Sequence, residues 1–381
     1  MASTHIFSVL RALLTAIFTL SGVIALFLVY HKSFSSPECH PPLAHAGCLT
    51  NQTNFQSTSV VRKQPDRPAV IQQTDKPVML MWFWPGNKRF DLKDCKTLFQ
   101  IDSCHLTDDR SLYPRAHGVL VFHRAIRDDL SNLPTTARAR FQRWIWFNMD
   151  SPTNTRRIAG IQGLFNLTMS YRKDSDIHVR WGVTLKKNAD EDFVLPNKDR
   201  LLCWIVNNSN DLHTKSEERY NYYRELVKYI KVDVFYNSSA EILKGQNYFL
   251  TISSCKFYLS FENSIHSDYI TEMFNGPLAA GTVPIVLGPP RRNYEDFAPG
   301  SSFIHVNDFP DAVTLAEFLL RLDKDDEGYM RYFNWRQFYT ARRHLTEERH
   351  EFTHAICLAC HHMGVNKEYR VVPDLYKWFF L

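Results

Sequence analysis

The sequence predicts an α/β protein, with two α/β domains in series facing a cleft behind an N-terminal transmembrane helix and a solvated stem. Three observations carry that expectation. A charge-free apolar run stands near the N-terminus, a polar stretch without apolar period follows it, and short apolar runs then alternate with helical segments. Strands and helices alternating in this way build parallel sheets, which bind ligands beyond the carboxyl ends of their strands. The chain has 381 residues, 44% of them hydrophobic, enough for two domains with cores of their own.

Residues 1–11 form a short tail. Ala12 to Tyr30 then reads ALLTAIFTLSGVIALFLVY, bounded by Arg11 and His31-Lys32. At about 1.5 Å per residue such a helix spans roughly the 30 Å of a bilayer core. A cleaved signal peptide has a shorter apolar region and a small-residue cleavage site. The HKSFSSPECH that follows offers no A-x-A site, so residues 12–30 are read as an anchor. Flanking charges are too similar to orient it. Residues 31–76, rich in Ser, Thr, Gln, Pro and Asn, read as a stem and not a domain. Cys39 and Cys48 lie in the stem, free to pair with each other or with a second chain in a homodimer.

Order begins at Val78 to Trp84 (VMLMWFW), closed by Pro85-Gly86. Further buried-strand patterns are GVLVFH (118–123), RWIWFN (143–148), LLCWIV (201–206), KVDVF (231–235), FYLSFE (257–262), VPIVLG (283–288) and FIHV (303–306). Helical patterns fall at 218–230 and 312–323. A polar run over 188–199 sets the boundary between domains at 77–199 and 200–345, followed by a C-terminal segment, 346–381.

Compartment is legible in the side chains. Eight cysteines and the acceptor triplets at Asn51, Asn166, Asn207 and Asn237 favour an oxidising lumen. With one anchor and a short tail, that is the single-pass type II arrangement of the Golgi membrane, the bulk of the chain luminal. The formal charge of +5 is mild, and Lys and Arg are scattered among acids without the stripes of a nucleic-acid binder. No G-x-S-x-G, P-loop or metal-spaced histidine is present, which removes lipase and nucleoside-triphosphatase readings.

Several motifs have competing readings. Cys357-Leu-Ala-Cys360-His361 matches the haem-attachment pattern and half of a zinc site, but no second pair sits at finger spacing. In a lumen these cysteines, with Cys95, Cys104, Cys203 and Cys255, read as disulfide halves, and spacing alone does not choose among the 15 pairings of six. Asp174-Ser175-Asp176 has the D-x-D form by which sugar transferases hold a divalent cation, yet its place after Tyr-Arg-Lys favours a solvated or ion-paired turn. Asp150 follows RWIWFNM and precedes Ser151-Pro152, which puts it at a strand's carboxyl end as a cap or a reacting carboxylate. The stretch FYLSFENSIHSDYITEMFNGPLAAGTVPIVLGPP (257–290) ends a strand in Glu262 and Asn263. A polar turn and a short helical pattern carrying Glu272 follow. Acids and amides clustered at a strand end mark a ligand cleft.

That stretch resembles the signature of the Lewis-type α-1,3-fucosyltransferases, most nearly their Lewis x-forming branch. CHLTDDRSLY (104–113), LFNLTMSYRKDSDI (164–177), FIHVNDF (303–309), YFNWR (332–336) and CLAC (357–360) extend the resemblance over most of 77–381. It implies a GT-B type fold of two Rossmann-like domains, an N-terminal acceptor-binding domain and a C-terminal GDP-fucose-binding domain, with 346–381 returning to the first. It implies inverting transfer of fucose from GDP-β-L-fucose to O3 of GlcNAc in N-acetyllactosamine-type glycans on glycoproteins or glycolipids. No cofactor or metal is obligatory, and a divalent cation would at most stimulate. By position, Asp150 becomes the base, where relatives carry Glu in E-S-P. Arg219 becomes the phosphate-binding arginine, Asn263 and Tyr269 donor-binding residues, and Glu272 the acid near fucose. Cys95 and Cys104 pair with Cys357 and Cys360, and Cys203 with Cys255. One departure stands out: the family's Thr-Glu-Lys reads Thr271-Glu272-Met273, so a diphosphate-contacting lysine is a thioether here. It leaves a second reading open, a catalytically impaired relative that binds glycan or GDP.

Overall fold

The first sheet grows from β1, Val78–Met81, of which Met79, Leu80 and Met81 are almost wholly buried. In a computed structural model it has six strands: β1, β2 (His105–Thr107), β3 (Gly118–Phe122), β4 (Arg143–Asn148), β5 (Leu167–Ser170) and β6 (Ile177–His178). Their order is β2-β1-β3-β4-β5-β6, with every pairing parallel. The structure describes residues 76–381 apart from 182–184, 187–192, 207–210, 215–216, 237–245 and 342–351. Residues 12–30, the stem with Cys39 and Cys48, and the sequons at Asn51, Asn207 and Asn237 lie outside the described residues.

β3 and β4 are buried along their whole length, on both faces. That explains why GVLVF and RWIWFN read as continuous apolar runs and not as alternation. β2, β5 and β6 are not among the strand patterns of the sequence. They are short and carry Thr, Ser and His, so no apolar run announces them.

The second sheet holds β8 (Arg200–Val206), β9 (Asp233–Tyr236), β10 (Cys255–Phe261), β11 (Val283–Leu287) and β12 (Ile304–His305). Its order is β12-β11-β10-β8-β9, again all parallel. A two-stranded antiparallel piece, β7 (Leu185–Lys186) with β13 (Thr340–Ala341), lies apart from both sheets. Alternation along β10 serves two cores. Phe257, Leu259 and Phe261 pack with Leu226 and Leu315 of the helices Glu218–Leu226 and Ala312–Leu322, whereas Tyr258 packs with Phe249 and Ile252 of Gln246–Ser253.

The chain ends on the first sheet. Ala355, Ile356, Ala359 and Met363 of the helix Thr353–Val365, and Leu375 and Phe379 of Leu375–Phe380, belong to the same core as β1, β3 and β4. Cys357 bonds Cys95, Cys360 bonds Cys104, and Cys203 bonds Cys255 between β8 and β10. The first two span 262 and 256 residues, so they restrain very long loops in the unfolded chain. With both cysteines of CLAC in disulfides, the thiols that haem attachment or a zinc site would need there are consumed.

Two sequence motifs turn out to be structural. Asp174 pairs with Arg172 at 2.9 Å and accepts from Trp378 Nε1 at 3.0 Å, and Asp176 accepts from Thr168 and pairs with Arg370. This is the ion-paired turn, with both carboxylates engaged. The expected glycan acceptor Asn166 needs correction. Its side chain is wholly buried, Oδ1 accepts from Trp144 N–H at 2.8 Å, and Nδ2 donates to the Arg370 carbonyl at 2.6 Å. In this fold that nitrogen is enclosed, and Asn166 ties the start of β4 to the C-terminal segment.

Candidate active site

Both sheets change winding direction at one point. The chain runs from β1 to β2 on one side and crosses back to β3, and from β8 to β9 before crossing back to β10. Ligands in such sheets bind in the crevice outside the carboxyl ends of the strands at that point. A cleft of about 340 Å³ lies there. Gly86 and Lys88 after β1, Phe122 and Arg124 at the end of β3, and Met149 and Asp150 after β4 form one wall. Arg219 beyond β8, Phe261 to Asn263 around the end of β10, Tyr269, and Thr271 to Met273 form the other, with Trp181 and Phe352 completing the lining.

The five residues singled out from sequence for catalysis and donor binding, Asp150, Arg219, Asn263, Tyr269 and Glu272, therefore converge on a single cavity. They come from segments up to 122 positions apart along the chain (150 to 272). Arg291 and Arg292 do not line it. Arg291 is taken up by Glu295 at 3.0 Å, Asp308 and the Gly300 carbonyl.

Asp150 sits where β4 stops. Asn148 Oδ1 accepts its backbone N–H at 3.3 Å, and Ser151-Pro152 begins a 3-10 turn that prevents further pairing. Its carboxylate is held on both oxygens by the Arg124 guanidinium, with Nε donating to Oδ2 at 3.0 Å and Nη2 to Oδ1. A two-point grip on a carboxylate fixes its rotation as well as its position. Trp181 Nε1 donates to the Met149 carbonyl at 3.2 Å, which packs an indole beside that carboxylate. The sequence reading assigns no role to Arg124 or Trp181; the signal for Arg124 was its place just past a buried strand.

On the opposite wall Arg219, mostly buried, pairs through Nε with Glu217 at 2.8 Å. Tyr269 is buried edge-on to Tyr171, at 5.0 Å between ring centroids, and burial pushes its hydroxyl pKa up, so it enters the cleft as a neutral donor. Thr271 caps the helix Glu272–Ala280, its Oγ1 accepting from Met273 N–H at 3.3 Å. The first turn of that helix faces the cleft, where the positive end of the peptide dipoles attracts anions. Met273 is half-buried along the wall, with the Tyr258 hydroxyl 3.8 Å from its sulfur. It lines the cavity and does not fill it.

Glu262, which the sequence marks as a strand-end acid without assigning it a role, lines the cleft beside Asn263. It is almost fully buried, and Oε1 accepts Thr271 N–H at 2.8 Å. Gly288 makes room for it, because an added Cβ would lie 3.0 Å from Glu262 Cγ and 2.2 Å from the Tyr294 hydroxyl. Burial, with a smaller push from Glu272, raises its pKa from 4.5 to about 8, against the Thr271 hydrogen bonds and Arg219. It is thus a neutral acid at neutral pH, which spares the donor wall a second buried charge. The folded chain keeps this proton above pH 4.5 while the unfolded chain releases it, so the contribution to stability falls as pH rises from 4.5 to about 8 and is level beyond. Thermal unfolding across that window should show the decline, and Glu262→Gln should flatten it; an unchanged slope in the variant would assign the proton to another group.

Sequence relatives agree with the cleft. Residues 195–378 match the description "Glycosyltransferase family 10 (fucosyltransferase) C-term" and residues 74–182 match "Fucosyltransferase, N-terminal". The 4-galactosyl-N-acetylglucosaminide 3-alpha-L-fucosyltransferase 9 of Mus musculus and that of Homo sapiens are each 42% identical over 372 residues, 98% of either chain. The Homo sapiens enzyme named 4-galactosyl-N-acetylglucosaminide 3-alpha-L-fucosyltransferase FUT5 is 40% identical over 308 residues, 79% of either chain. A crystal structure of an alpha1,3-fucosyltransferase with GDP-fucose superposes with a TM-score of 0.47 at 14% identity, covering 80% of this chain and 95% of that one. By sequence this chain belongs to glycosyltransferase family 10, the fucosyltransferases.

Proposed function

We propose that the protein transfers L-fucose from GDP-β-L-fucose to O3 of GlcNAc in N-acetyllactosamine-type glycans, giving a Lewis x-type product. The observation that carries the reading is the meeting of Asp150 from one half with Arg219, Asn263, Tyr269 and Glu272 from the other in one cleft. Relatives 42% identical over 98% of the chain, named for transfer to 4-galactosyl-N-acetylglucosaminide, support it, and nothing in them favours a catalytically impaired relative.

In this reading the two sheets are the halves of a GT-B transferase, the first binding acceptor and the second binding GDP-fucose. Asp150 takes the proton from O3 as that oxygen attacks C1 of fucose. The bond from C1 to the β-phosphate oxygen breaks on the opposite face, so configuration inverts through an oxocarbenium-like state. Glu272 faces the charge developing on the ring. GDP leaves as an anion met by Arg219, the Tyr269 hydroxyl and N–H groups at the start of the helix Glu272–Ala280. A divalent cation is not required to complete that set. Residues 12–30 would anchor the chain in the Golgi membrane with this cleft luminal, within reach of glycoprotein or glycolipid acceptors, and Cys39 or Cys48 could link two copies.

The test is a transfer assay with GDP-fucose and N-acetyllactosamine, with and without EDTA. An α1-3-fucosylated product formed at comparable rates in both arms is expected. No product in either arm would overturn the proposal, and product only without EDTA would overturn its metal-independent part.

A further inference from the structure

Beside Asp150, four side chains from the two halves of the cleft, Asn263 among them, close a ring of contacts. Asn154 Nδ2 lies 3.1 Å from Ser151 Oγ and 3.0 Å from Asn263 Oδ1. Ser264 Oγ lies 2.6 Å from Ser151 Oγ and 3.0 Å from Asn263 Oδ1. The Asn154 amide supplies a hydrogen to each of its acceptors, while the single Ser264 hydroxyl hydrogen serves either Ser151 Oγ or Asn263 Oδ1 at a time. Thr153 Oγ1 and His266 Nε2, 2.7 Å apart, add a rung outside the ring.

Its position gives the ring its meaning. Ser151 directly follows Asp150, and Ser264 directly follows Asn263. The ring therefore ties the turn that carries the base to the turn that carries a donor-binding residue. Asn263 and Asn154 are exposed to water, where single hydrogen bonds contribute little to stability. What it restricts is relative position, and a displacement of about 1 Å between reacting groups costs about 10²-fold in rate.

We infer that Asn154 and Ser264 are positioning residues, a clasp that sets the distance from Asp150 to the fucose held on the other half. The inference rests on the proposed transfer reaction. Asn154→Ala and Ser264→Ala should each lower kcat by about 10- to 100-fold while KM for GDP-fucose stays within about twofold. Either change opens the same ring, so the double variant should lose little more than each single one. Ser264→Thr keeps a hydroxyl and should recover most of the rate. The melting temperature should hardly move in any of them.

Wild-type turnover with kcat preserved in both alanine variants would overturn the clasp alone. So would a loss of kcat matched by an equal loss of donor affinity, or a lowered melting temperature that Ser264→Thr does not restore, because a merely structural seam predicts these. Absence of turnover in the wild type would overturn the transfer reading and the clasp with it.

Discussion

Asp150→Asn is expected to lower fucose transfer by about 10²- to 10⁴-fold, the usual contribution of a positioned general base. GDP affinity should stay unchanged, because Asp150 lies on the wall opposite Arg219 and Met273. The amide keeps the size of the carboxylate and one acceptor for Arg124, yet it has no basic oxygen with which to take the acceptor proton. The Arg124 side chain is 68% exposed, so weakening its ion pair costs little stability. Loss of rate with an unaltered melting temperature would therefore report chemistry. Retained turnover would remove Asp150 from the base role, and Glu272 would be the next carboxylate of the cleft to test.

Met273→Lys should raise kcat/KM for GDP-fucose by about 10- to 100-fold. A charge-assisted hydrogen bond is worth about 1.5–3 kcal/mol, and each 1.36 kcal/mol felt in the transition state is tenfold in rate. Met273 lies half-buried along the cleft wall, so an ammonium on a chain of similar length reaches the same space. The change removes only a thioether from the Tyr258 hydroxyl, a weak acceptor. A natural chain without turnover beside an active lysine variant would mark it as catalytically impaired. Equal rates in the two forms would mean that Arg219 and the backbone amides already carry the pyrophosphate unaided.

Much of this architecture is legible in the amino-acid string because buried parallel strands write themselves as apolar runs. RWIWFN, LLCWIV and VPIVLG coincide with β4, β8 and β11 to within a residue at either end, and FYLSFE with β10 to within two. The residues that ended up in the cleft were visible for a related reason: Asp150, Glu262 and Asn263 punctuate strands at their carboxyl ends. What stayed hidden depends on partners distant in sequence. Asn166 reads as a glycan acceptor until Trp144 and Arg370 are seen to enclose it. Glu262 reads as one more strand-end acid until Gly288 and Thr271 are seen to bury it. The ring of Ser151, Asn154, Asn263 and Ser264 joins residues more than a hundred positions apart, a separation beyond the reach of any local pattern. β5 and β6 were missed because strands of four and two residues that carry Thr, Ser and His show no period.

The expectations about fucose transfer need the cleft to hold a nucleoside diphosphate although its wall carries a methionine. Titration of GDP into the wild-type chain, with Arg219→Ala alongside, measures that directly. Saturable binding of one GDP per chain is predicted, weakened about tenfold or more in the arginine variant. A wild-type chain that takes up no GDP at millimolar nucleotide would contradict the account at its root.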